Sequence, residues 1–311
     1  MPAIVTVTFS PCIDKSTAVS RLIADVKLKC AAPVFEPGGG GINVARAIKK
    51  LGGEALALYP AGGCTGKFFT ALLQKEGVDT RVVASVHDTR ENIILLETAT
   101  NRQYRLGMPG TALTGQEWAA MLQQLEAIKD AAFIVASGSI PPGAPCDLFT
   151  RIAGIAKKNK AKLIADTSGA PLKQAIAGGA FLVKPNLGEL CALLGKDFLD
   201  KEDVAAAAAQ VLKNTECRAV AVSMGSEGAL LVTAGTAVRF IPPEVDRKST
   251  VGAGDSMVAG IVFKLSAGAD IESAVKFGVA CGTAATLNPG TELCKRADAD
   301  RIHAKLHSFP L

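Results

Sequence analysis

Short apolar runs alternate along the chain with segments in which apolar residues recur every three to four positions. The runs lie at residues 4–9, 55–59, 133–136, 162–165, 181–183 and 219–223. Such unbroken hydrophobic runs are typical of strands that are covered on both faces of a parallel sheet. The periodic segments predict helices at 42–51, 66–76, 146–158, 187–194 and 203–213. The alternation indicates βαβ units, and therefore an α/β fold with a mainly parallel central sheet between helical layers.

Three parts of the chain depart from this alternation. Residues 229–233 and 237–241 predict two antiparallel strands, and three helices are predicted to follow, beginning near Gly254, Ile271 and Ala297. Residues 14–36 and 88–108 look extended, carry alternating polar positions and have no helix of their own. Because insertions of this kind often form a small sheet over a site, we expect a β lid from these two segments. Plain surface hairpins are the alternative. The chain as a whole, residues 1–311, is predicted to be a single domain carrying this lid.

Composition narrows the class of protein. The chain has 311 residues, of which 49% are hydrophobic and 20% are charged, so it can bury a sizeable core and is not expected to be disordered. No apolar run is long enough to span a bilayer and no signal-peptide pattern is present, so we expect a cytoplasmic protein without a membrane partner. The eight cysteines are scattered without C-x-x-C spacing, which predicts buried free thiols rather than disulfides or a zinc site. The net charge of +5 is spread along the chain, so nucleic acid is not an expected partner.

Two glycine-rich turns resemble phosphate-binding loops only in part. Residues 38–41 precede a predicted helix, but Asn43 stands where a dinucleotide-binding turn has its third glycine. Residues 61–68 lack the first glycine of a P-loop and end in Phe68, where a hydroxyl is needed for magnesium. Dehydrogenases and P-loop enzymes are therefore disfavoured.

A third glycine-rich turn has the chemistry of a phosphoryl-transfer site. Gly252, Ala253 and Gly254 lie between extended chain and a predicted helix, so their amides would form an anion hole at a helix N-terminus. Asp255 follows at the rim, where its carboxylate could accept a proton from an attacking hydroxyl. The alternative is an aspartate that only caps the helix start.

Two more strand ends carry residues suited to a nucleotide. Lys184, Asn186 and Glu189 suit phosphates and hydrated magnesium, although Asn-x-x-Glu is also a capping-box pattern. Ser223, Gly225 and Gly228 close another strand. Ligands of open α/β folds bind at the carboxyl ends of the strands, so these residues form a candidate nucleotide site.

Taken in order, the segment 38–46, the Asn186-x-x-Glu189 motif and the segment 250–256 resemble the signatures of the PfkB family of carbohydrate kinases. The resemblance covers essentially the whole chain and implies the ribokinase-like fold. Residues 35–47, 60–63 and 104–110 resemble the branch of the family that transfers phosphate from ATP to C1 of fructose 6-phosphate. Kinases of fructose 1-phosphate or tagatose 6-phosphate are the nearest alternatives, and a catalytically silent sugar-phosphate or nucleotide sensor is an alternative of another class.

The resemblance also implies a role for each candidate residue. Asp255 would be the general base, with the anion hole at Gly252, Ala253 and Gly254. The sugar hydroxyls would be held by Asp14, Gly39 and Asn43, and the sugar phosphate by Lys27, Arg90 and Ser139. ATP would lie along Lys184, Asn186, Ser223, Gly225 and Gly228. Glu189 would organise Mg²⁺ through water, and K⁺ would be held at Ser249, Val251, Ala285, Asn288 and Gly290. The lid implies a homodimer, in which Lys27 of one chain would bind in the active site of the other chain and contact the ATP there.

Overall fold

The computed structural model describes residues 3–311, which form two sheets and ten α-helices. The strands are β1 (Ile4–Val7), β2 (Cys12–Val19), β3 (Val34–Gly38), β4 (Leu56–Ala61), β5 (Asp79–Ala84), β6 (Arg90–Glu97), β7 (Arg102–Leu106), β8 (Phe133–Ser137), β9 (Lys162–Asp166), β10 (Leu182–Val183), β11 (Ala219–Ser223), β12 (Ala229–Thr233), β13 (Ala237–Ile241) and β14 (His307–Pro310). The helices are α1 (Gly40–Lys50), α2 (Gly63–Lys75), α3 (Gly115–Ala127), α4 (Leu148–Lys158), α5 (Gly169–Ala177), α6 (Leu187–Leu194), α7 (Val204–Leu212), α8 (Ala253–Ser266), α9 (Ile271–Thr286) and α10 (Arg296–His303).

The larger sheet has ten strands in the order β14-β13-β12-β11-β10-β9-β8-β1-β4-β5. Seven neighbouring strands of this sheet pair in parallel, namely β5, β4, β1, β8, β9, β10 and β11. Strands β12, β13 and β14 pair antiparallel. The predicted fold class, a mainly parallel α/β sheet, is confirmed. The strand order brings the carboxyl ends of β8, β9, β10 and β11 side by side, which is where the candidate site lies.

Two hydrophobic clusters cover the two faces of the sheet. Alternate residues of β8 separate cleanly, because Phe133 and Val135 join one cluster while Ile134 and Ala136 join the other. The first cluster includes residues of α1, α2, α8, α9 and α10, and the second includes residues of α3, α4, α5, α6 and α7. Burial on both faces is the physical reason that these strands are continuous apolar runs.

The second sheet has four strands in the order β3-β2-β6-β7. It is built from the two extended segments that the sequence pattern singled out. Strand β2 pairs antiparallel with β3 and in parallel with β6, with Asp14 opposite both Glu36 and Asn92. Its pairing places Arg90 beside Cys12, near the start of both strands. The function of this second sheet as a lid stays a prediction.

Helix α3 was given no predicted bounds. Three further elements were not predicted, and each has a local reason. Strands β5 and β14 are the two edges of the larger sheet, where polar residues and even the Pro310 of β14 are tolerated. Helix α5 begins Gly169-Ala-Pro, which reads as a loop although Pro is accepted in the first turn of a helix.

The expectation of buried thiols was wrong for Cys30, Cys64 and Cys146, which are exposed free cysteines. Within residues 3–311, every helix is either too short or too polar to span a bilayer.

Candidate active site

The start of α8 forms a turn with free backbone amides. Gly252 adopts φ 71°, the left-handed region, and a side chain there would collide with Leu293. The first intrahelical bond runs from the Ser256 N–H to the Gly252 carbonyl at 2.8 Å. The Ala253 N–H donates to the Thr250 carbonyl at 3.4 Å, whereas the Gly252 and Gly254 N–H groups form no hydrogen bond within the described residues. These two amides lie at the positive end of the helix dipole, which suits an anion.

Asp255 lies in the first turn of α8 and is fixed by a residue distant in sequence. The Asn43 Nδ2 donates to the Asp255 Oδ2 at 2.8 Å, which joins α1 to α8. Burial raises the pKa of Asp255 to about 7, and the negative charge of Asp166 acts in the same direction, while the Asn43 bond and the Lys184 charge oppose the rise. A carboxyl with a pKa near neutrality is matched to proton transfer at physiological pH.

A buried ion pair lies against the anion turn. The Lys184 Nζ is 3.0 Å from the Asp166 Oδ1, and Lys184 is 5% exposed. A Cβ atom on Gly254 would lie 3.4 Å from the Lys184 Nζ, so the ammonium group borders the turn directly. Burial is the largest single influence and lowers the pKa of Lys184, but the charge and hydrogen bond of Asp166, together with the charges of Asp255 and Glu189, outweigh it and raise the pKa. Lys184 therefore remains a cation beside the position where an anion would bind.

Asp166 is a residue that the sequence reasoning missed. It ends β9, one strand away from Lys184, and its Oδ2 also accepts from the Ser137 Oγ at 3.5 Å. The available signal was its position, because a carboxylate at the carboxyl end of a core strand lies at the edge where open α/β sheets bind ligands.

The predicted sugar-binding residues converge at the junction of the two sheets. Gly39 precedes α1 with φ 112°, a conformation that side chains rarely adopt, and a Cβ on Gly38 would collide with the Asp14 carboxylate. Asp14 is buried, and its Oδ1 accepts from the Asn92 Nδ2 at 3.0 Å. Burial raises the pKa of Asp14, although the bonds from Asn92 and Cys12 oppose the rise. Sequence reasoning did not select Asn92, whose role as the partner of Asp14 depends on the β2–β6 register.

The predicted phosphate-binding residues are arranged less uniformly. Arg90 opens β6, and its guanidinium donates to the Met108 carbonyl at 2.7 Å and to the Ser10 carbonyl at 3.1 Å. Ser139 is exposed two residues beyond β8. Lys27 is exposed between β2 and β3. Arg90 thus lies beside β2, which carries Asp14, whereas the place of Lys27 in the site stays a prediction.

The predicted nucleotide residues occupy neighbouring strand ends. Ser223 closes β11 and its N–H donates to the Pro185 carbonyl at 2.9 Å, next to a parallel bridge with Asn186. Gly225 and Gly228 have φ 62° and 83°, and a Cβ on Gly228 would collide with the Phe240 carbonyl. Both glycines are therefore required by the backbone whatever they bind.

The Asn186 and Glu189 side chains form the capping box that the sequence left open. The Asn186 Oδ1 accepts from the Glu189 N–H at 2.8 Å, and the Glu189 Oε2 accepts from the Asn186 N–H at 2.9 Å. The other carboxylate oxygen of Glu189 is not used by the box. Within residues 3–311, no three or more His, Cys, Asp and Glu side chains form a metal cluster. One carboxylate acting with water and nucleotide phosphates is nevertheless the usual mode of Mg²⁺ binding.

The residues proposed for K⁺ meet where the segment before α8 touches the loop after α9. The Ser249 Oγ donates to the Gly290 carbonyl at 3.1 Å and accepts from the Val251 N–H at 3.2 Å. Asn288 is buried, and its Nδ2 donates to the Leu293 carbonyl at 2.9 Å, while the Ala285 carbonyl accepts from the Asn288 N–H at 3.2 Å. The donor set consists of carbonyl, hydroxyl and amide oxygens, which suits a hard cation such as K⁺.

One contact from the small sheet reaches the anion turn. The Arg105 guanidinium, on β7, donates to the Thr250 Oγ1 at 3.1 Å, two residues before Gly252. The sequence motif around Arg105 contributed to the resemblance described above, but nothing in the sequence indicated this contact. The small sheet is therefore attached to both the sugar side and the phosphoryl side of the site.

Taken together, these groups can perform one kind of chemistry. A carboxylate able to accept a proton lies beside amides of a helix start and a buried ammonium, and Asn43, one of the residues predicted to bind the sugar, is bonded to it. These are the groups that phosphoryl transfer to a hydroxyl requires, since that reaction depends on positioning and charge stabilisation.

Comparison with known proteins places the chain in a family. The profile of the pfkB family carbohydrate kinases matches residues 7–298, so the chain belongs to that family and is a carbohydrate kinase. Among curated proteins, the ATP-dependent 6-phosphofructokinase isozyme 2 of Escherichia coli (strain K12) is 44% identical over 98% of this chain and 99% of its own length. The enzyme of the same name from Mycobacterium tuberculosis (strain CDC 1551 / Oshkosh) is 43% identical over 97% of this chain and 89% of its own length.

Solved structures agree with this assignment. A crystal structure of phosphofructokinase-2 from Escherichia coli in complex with potassium has a TM-score of 0.94 and 43% identity, and covers 98% of this chain and 99% of that chain. The predicted ribokinase-like fold is thereby confirmed.

Proposed function

We propose that this protein is an ATP-dependent 6-phosphofructokinase, which transfers the γ-phosphate of ATP to the C1 hydroxyl of fructose 6-phosphate. The observation that carries the proposal is the Asp255 carboxylate, held by Asn43 beside the open amides of α8 and the Lys184 ammonium. The relatives with this name match at 43–44% identity over nearly the whole chain, which supports this substrate over other sugars.

The proposed reaction is an in-line displacement. Asp255 accepts the proton of the C1 hydroxyl, and the oxygen forms a bond to the γ-phosphorus. The bond between that phosphorus and the β,γ-bridging oxygen breaks, and ADP leaves with the electron pair. The amides of Gly252, Ala253 and Gly254 and the Lys184 ammonium stabilise the negative charge of the migrating phosphoryl group, where a fixed donor is most effective.

The nucleotide is proposed to lie along the ends of β10 and β11. Lys184, Asn186, Ser223, Gly225 and Gly228 would contact ATP, and Glu189 would hold Mg²⁺ through water with its free oxygen. Mg²⁺ supplies charge neutralisation of the phosphates when it is bound. A K⁺ ion is proposed at Ser249, Val251, Ala285, Asn288 and Gly290, and the existence of a potassium complex of the Escherichia coli relative supports a K⁺ ion in this fold.

The sugar phosphate is proposed to lie under the small sheet. Asp14, Gly39 and Asn43 would hold the sugar hydroxyls, and Ser139 would lie between the sugar and the γ-phosphate. Arg90 is suited to the 6-phosphate because a guanidinium offers two parallel donors. A structure of the Escherichia coli relative in complex with fructose-6-phosphate has a TM-score of 0.92, which supports a sugar site in this fold.

We further propose that two chains associate through their small sheets. Exposed apolar side chains concentrate on this sheet and its connections, where Val34 is 58%, Leu106 49% and Met108 42% exposed. Exposed apolar side chains of this number are typical of an interaction surface. Lys27, which one chain leaves in solvent, would then reach the phosphates in the neighbouring site. A tetrameric inhibited form of the Escherichia coli relative has also been solved, so larger assemblies occur among its relatives.

Steady-state kinetics with competing sugars tests the substrate. Fructose 6-phosphate should have the highest kcat/KM, and tagatose 6-phosphate and fructose 1-phosphate should be poorer. Fructose 1-phosphate is the main rival substrate, because a 1-phosphofructokinase of Borreliella burgdorferi is 31% identical over 96% of this chain. A tenfold preference for fructose 1-phosphate would overturn the substrate assignment. Binding of sugar phosphate and ATP without any turnover would favour the sensor, the alternative of another class.

A further inference from the structure

The Arg46 side chain is buried behind the candidate site and does not belong to any predicted binding set. It lies on α1, one turn after Asn43, and is only 1% exposed. Its guanidinium pairs with the Glu76 carboxylate at 2.7 Å and with the Glu36 carboxylate at 3.2 Å, and it donates to the Pro37 carbonyl at 2.8 Å. A charge buried this deeply is costly unless it is paired, so the presence of Arg46 and its two glutamate partners behind the site calls for an explanation.

The contacts of Arg46 fix it with respect to three elements that border the site. Glu36 and Pro37 belong to β3 of the small sheet, and Glu76 follows α2. Glu36 also accepts from the Thr291 Oγ1 at 2.5 Å, in the loop that contains Gly290, and the Arg46 Nη1 lies 3.5 Å from the Thr291 carbonyl. The guanidinium is therefore held in one position by groups from outside α1.

The same Nη1 atom lies 3.5 Å from the Asn43 Oδ1. A guanidinium only donates and an ionised carboxylate only accepts. Asn43 lies between the two, so its carboxamide has one favourable orientation, with the oxygen toward Arg46 and the NH₂ group toward Asp255. Reversing the amide would lose the 2.8 Å bond to Asp255 and direct two sets of donors at each other.

We propose that Arg46 is a positioning residue for phosphoryl transfer, which acts by orienting the Asn43 amide so that it holds the Asp255 carboxylate. This inference rests on the proposed kinase function, but the orientation itself exists in the free protein. Without the Asn43 bond, Asp255 would lose a group that lowers its pKa, so the pKa should rise. Of the other charged groups acting on Asp255, Asp14 is itself influenced by the Arg46 charge, which a lysine at this position would retain.

The experiment compares Arg46→Lys, Asn43→Ala and the double variant with the full-length wild-type protein. Arg46→Lys keeps a cation but cannot make the forked contacts, so kcat should fall roughly tenfold or more, the loss of about one hydrogen bond to a charged group. The KM for ATP should change less than twofold. In the Asn43→Ala background the same substitution should change kcat less than twofold, because the group through which it acts is gone.

A measurement on the ligand-free protein separates this inference from the proposed function. Carbon-13 NMR gives the Asp255 titration, with the resonance identified by its loss in Asp255→Asn, and Arg46→Lys should raise this pKa. The control is Glu76→Gln, which removes one ion pair while leaving Pro37, Glu36 and Asn43 in contact with Arg46. Glu76→Gln should lower thermal stability without changing this pKa. An unchanged Asp255 pKa in Arg46→Lys, or equal effects on kcat in both backgrounds, would overturn the positioning role. Absence of wild-type turnover, with the pKa shift intact, would instead count against the kinase function alone.

Discussion

The two halves of the candidate site are held in different ways. On the phosphoryl side, Asp255, Lys184 and Asp166 are fixed by bonds between core elements, with Lys184 only 5% exposed. On the sugar side, the small sheet carries Arg90 and Lys27 and exposes apolar side chains, among them Val34 at 58%. Under the proposed function, the reacting groups are complete within one chain, whereas Lys27 of the sugar side would act from a second chain. Catalytic power and substrate affinity should therefore respond to different perturbations.

The strongest test removes the proposed base. Asp255→Asn keeps the shape of the side chain but cannot accept the proton, so kcat should fall by roughly 10³–10⁴-fold, the upper range for general base catalysis. Calorimetry should show nearly unchanged ATP affinity. The matched control is Asp270→Asn, since Asp270 caps α9 by accepting from the Ser273 N–H at 2.8 Å. Asparagine is also a favourable N-cap residue, so Asp270→Asn should leave both stability and kcat nearly unchanged. Near-normal turnover in Asp255→Asn would show that Asp255 is not the general base and acts only at the start of the helix.

On the sugar side, Arg90→Ala should act on substrate affinity. Loss of its charge-assisted bonds to the 6-phosphate should raise the KM for fructose 6-phosphate roughly 10–100-fold, because each such bond contributes about 1.5–3 kcal/mol. The KM for ATP should change little. Arg102→Ala serves as control, because Arg102 is an exposed arginine on β7 of the same sheet. If ATP affinity fell instead, the assignment of Arg90 to the sugar phosphate would be wrong.

Charging the exposed apolar positions of the small sheet should separate the two chains of the proposed dimer. Light scattering of the Val34→Lys, Leu106→Lys double variant should give the mass of one chain, and its KM for fructose 6-phosphate should rise several-fold, as in Lys27→Ala. The comparison is Phe198→Lys, which charges an equally exposed apolar residue (Phe198 is 72% exposed) outside the small sheet. An unchanged mass for the double variant would place the interface elsewhere. A monomer with a normal KM would mean that Lys27 does not act across the interface.

The smallest expected effect concerns pH. Asp255 has a pKa of about 7, and only its deprotonated form is a base, so kcat/KM should rise with pH through neutrality. Asp166→Asn removes a negative charge that raises this pKa. The acidic limb of the profile should therefore move to lower pH, by about one unit if the effect is of ordinary size. A limb that stays in place or moves to higher pH would show that Asp166 does not act on Asp255.

Much of the architecture could be predicted from the sequence because local pattern and local chemistry coincide there. The predicted bounds of β11, β12, β13 and α6 agree with the structure residue for residue. Buried strands are continuous apolar runs, and helix α6 carries its own capping box. The elements that escaped prediction lie at the sheet edges or begin with Gly and Pro, where local signals favour a loop.

The candidate site was predictable wherever a single segment contains the chemistry. The glycine turn and Asp255 are adjacent in sequence, so the helix start that places them together is a local property. Asp166 and Asn92 could not be selected in the same way. Each matters only through a partner in another segment, Lys184 for Asp166 and Asp14 for Asn92.

By itself, then, the sequence determined which segments are buried strands, where the glycine-built helix start lies, and which side chains could bind phosphate. Only the tertiary structure decided which of these groups touch. Asn43 and Asp255 are 212 residues apart and Arg46 and Thr291 are 245 residues apart, yet both pairs are in contact. Sheet order and helix packing bring such pairs together, and because those depend on the burial of the whole core, no local stretch of sequence encodes them.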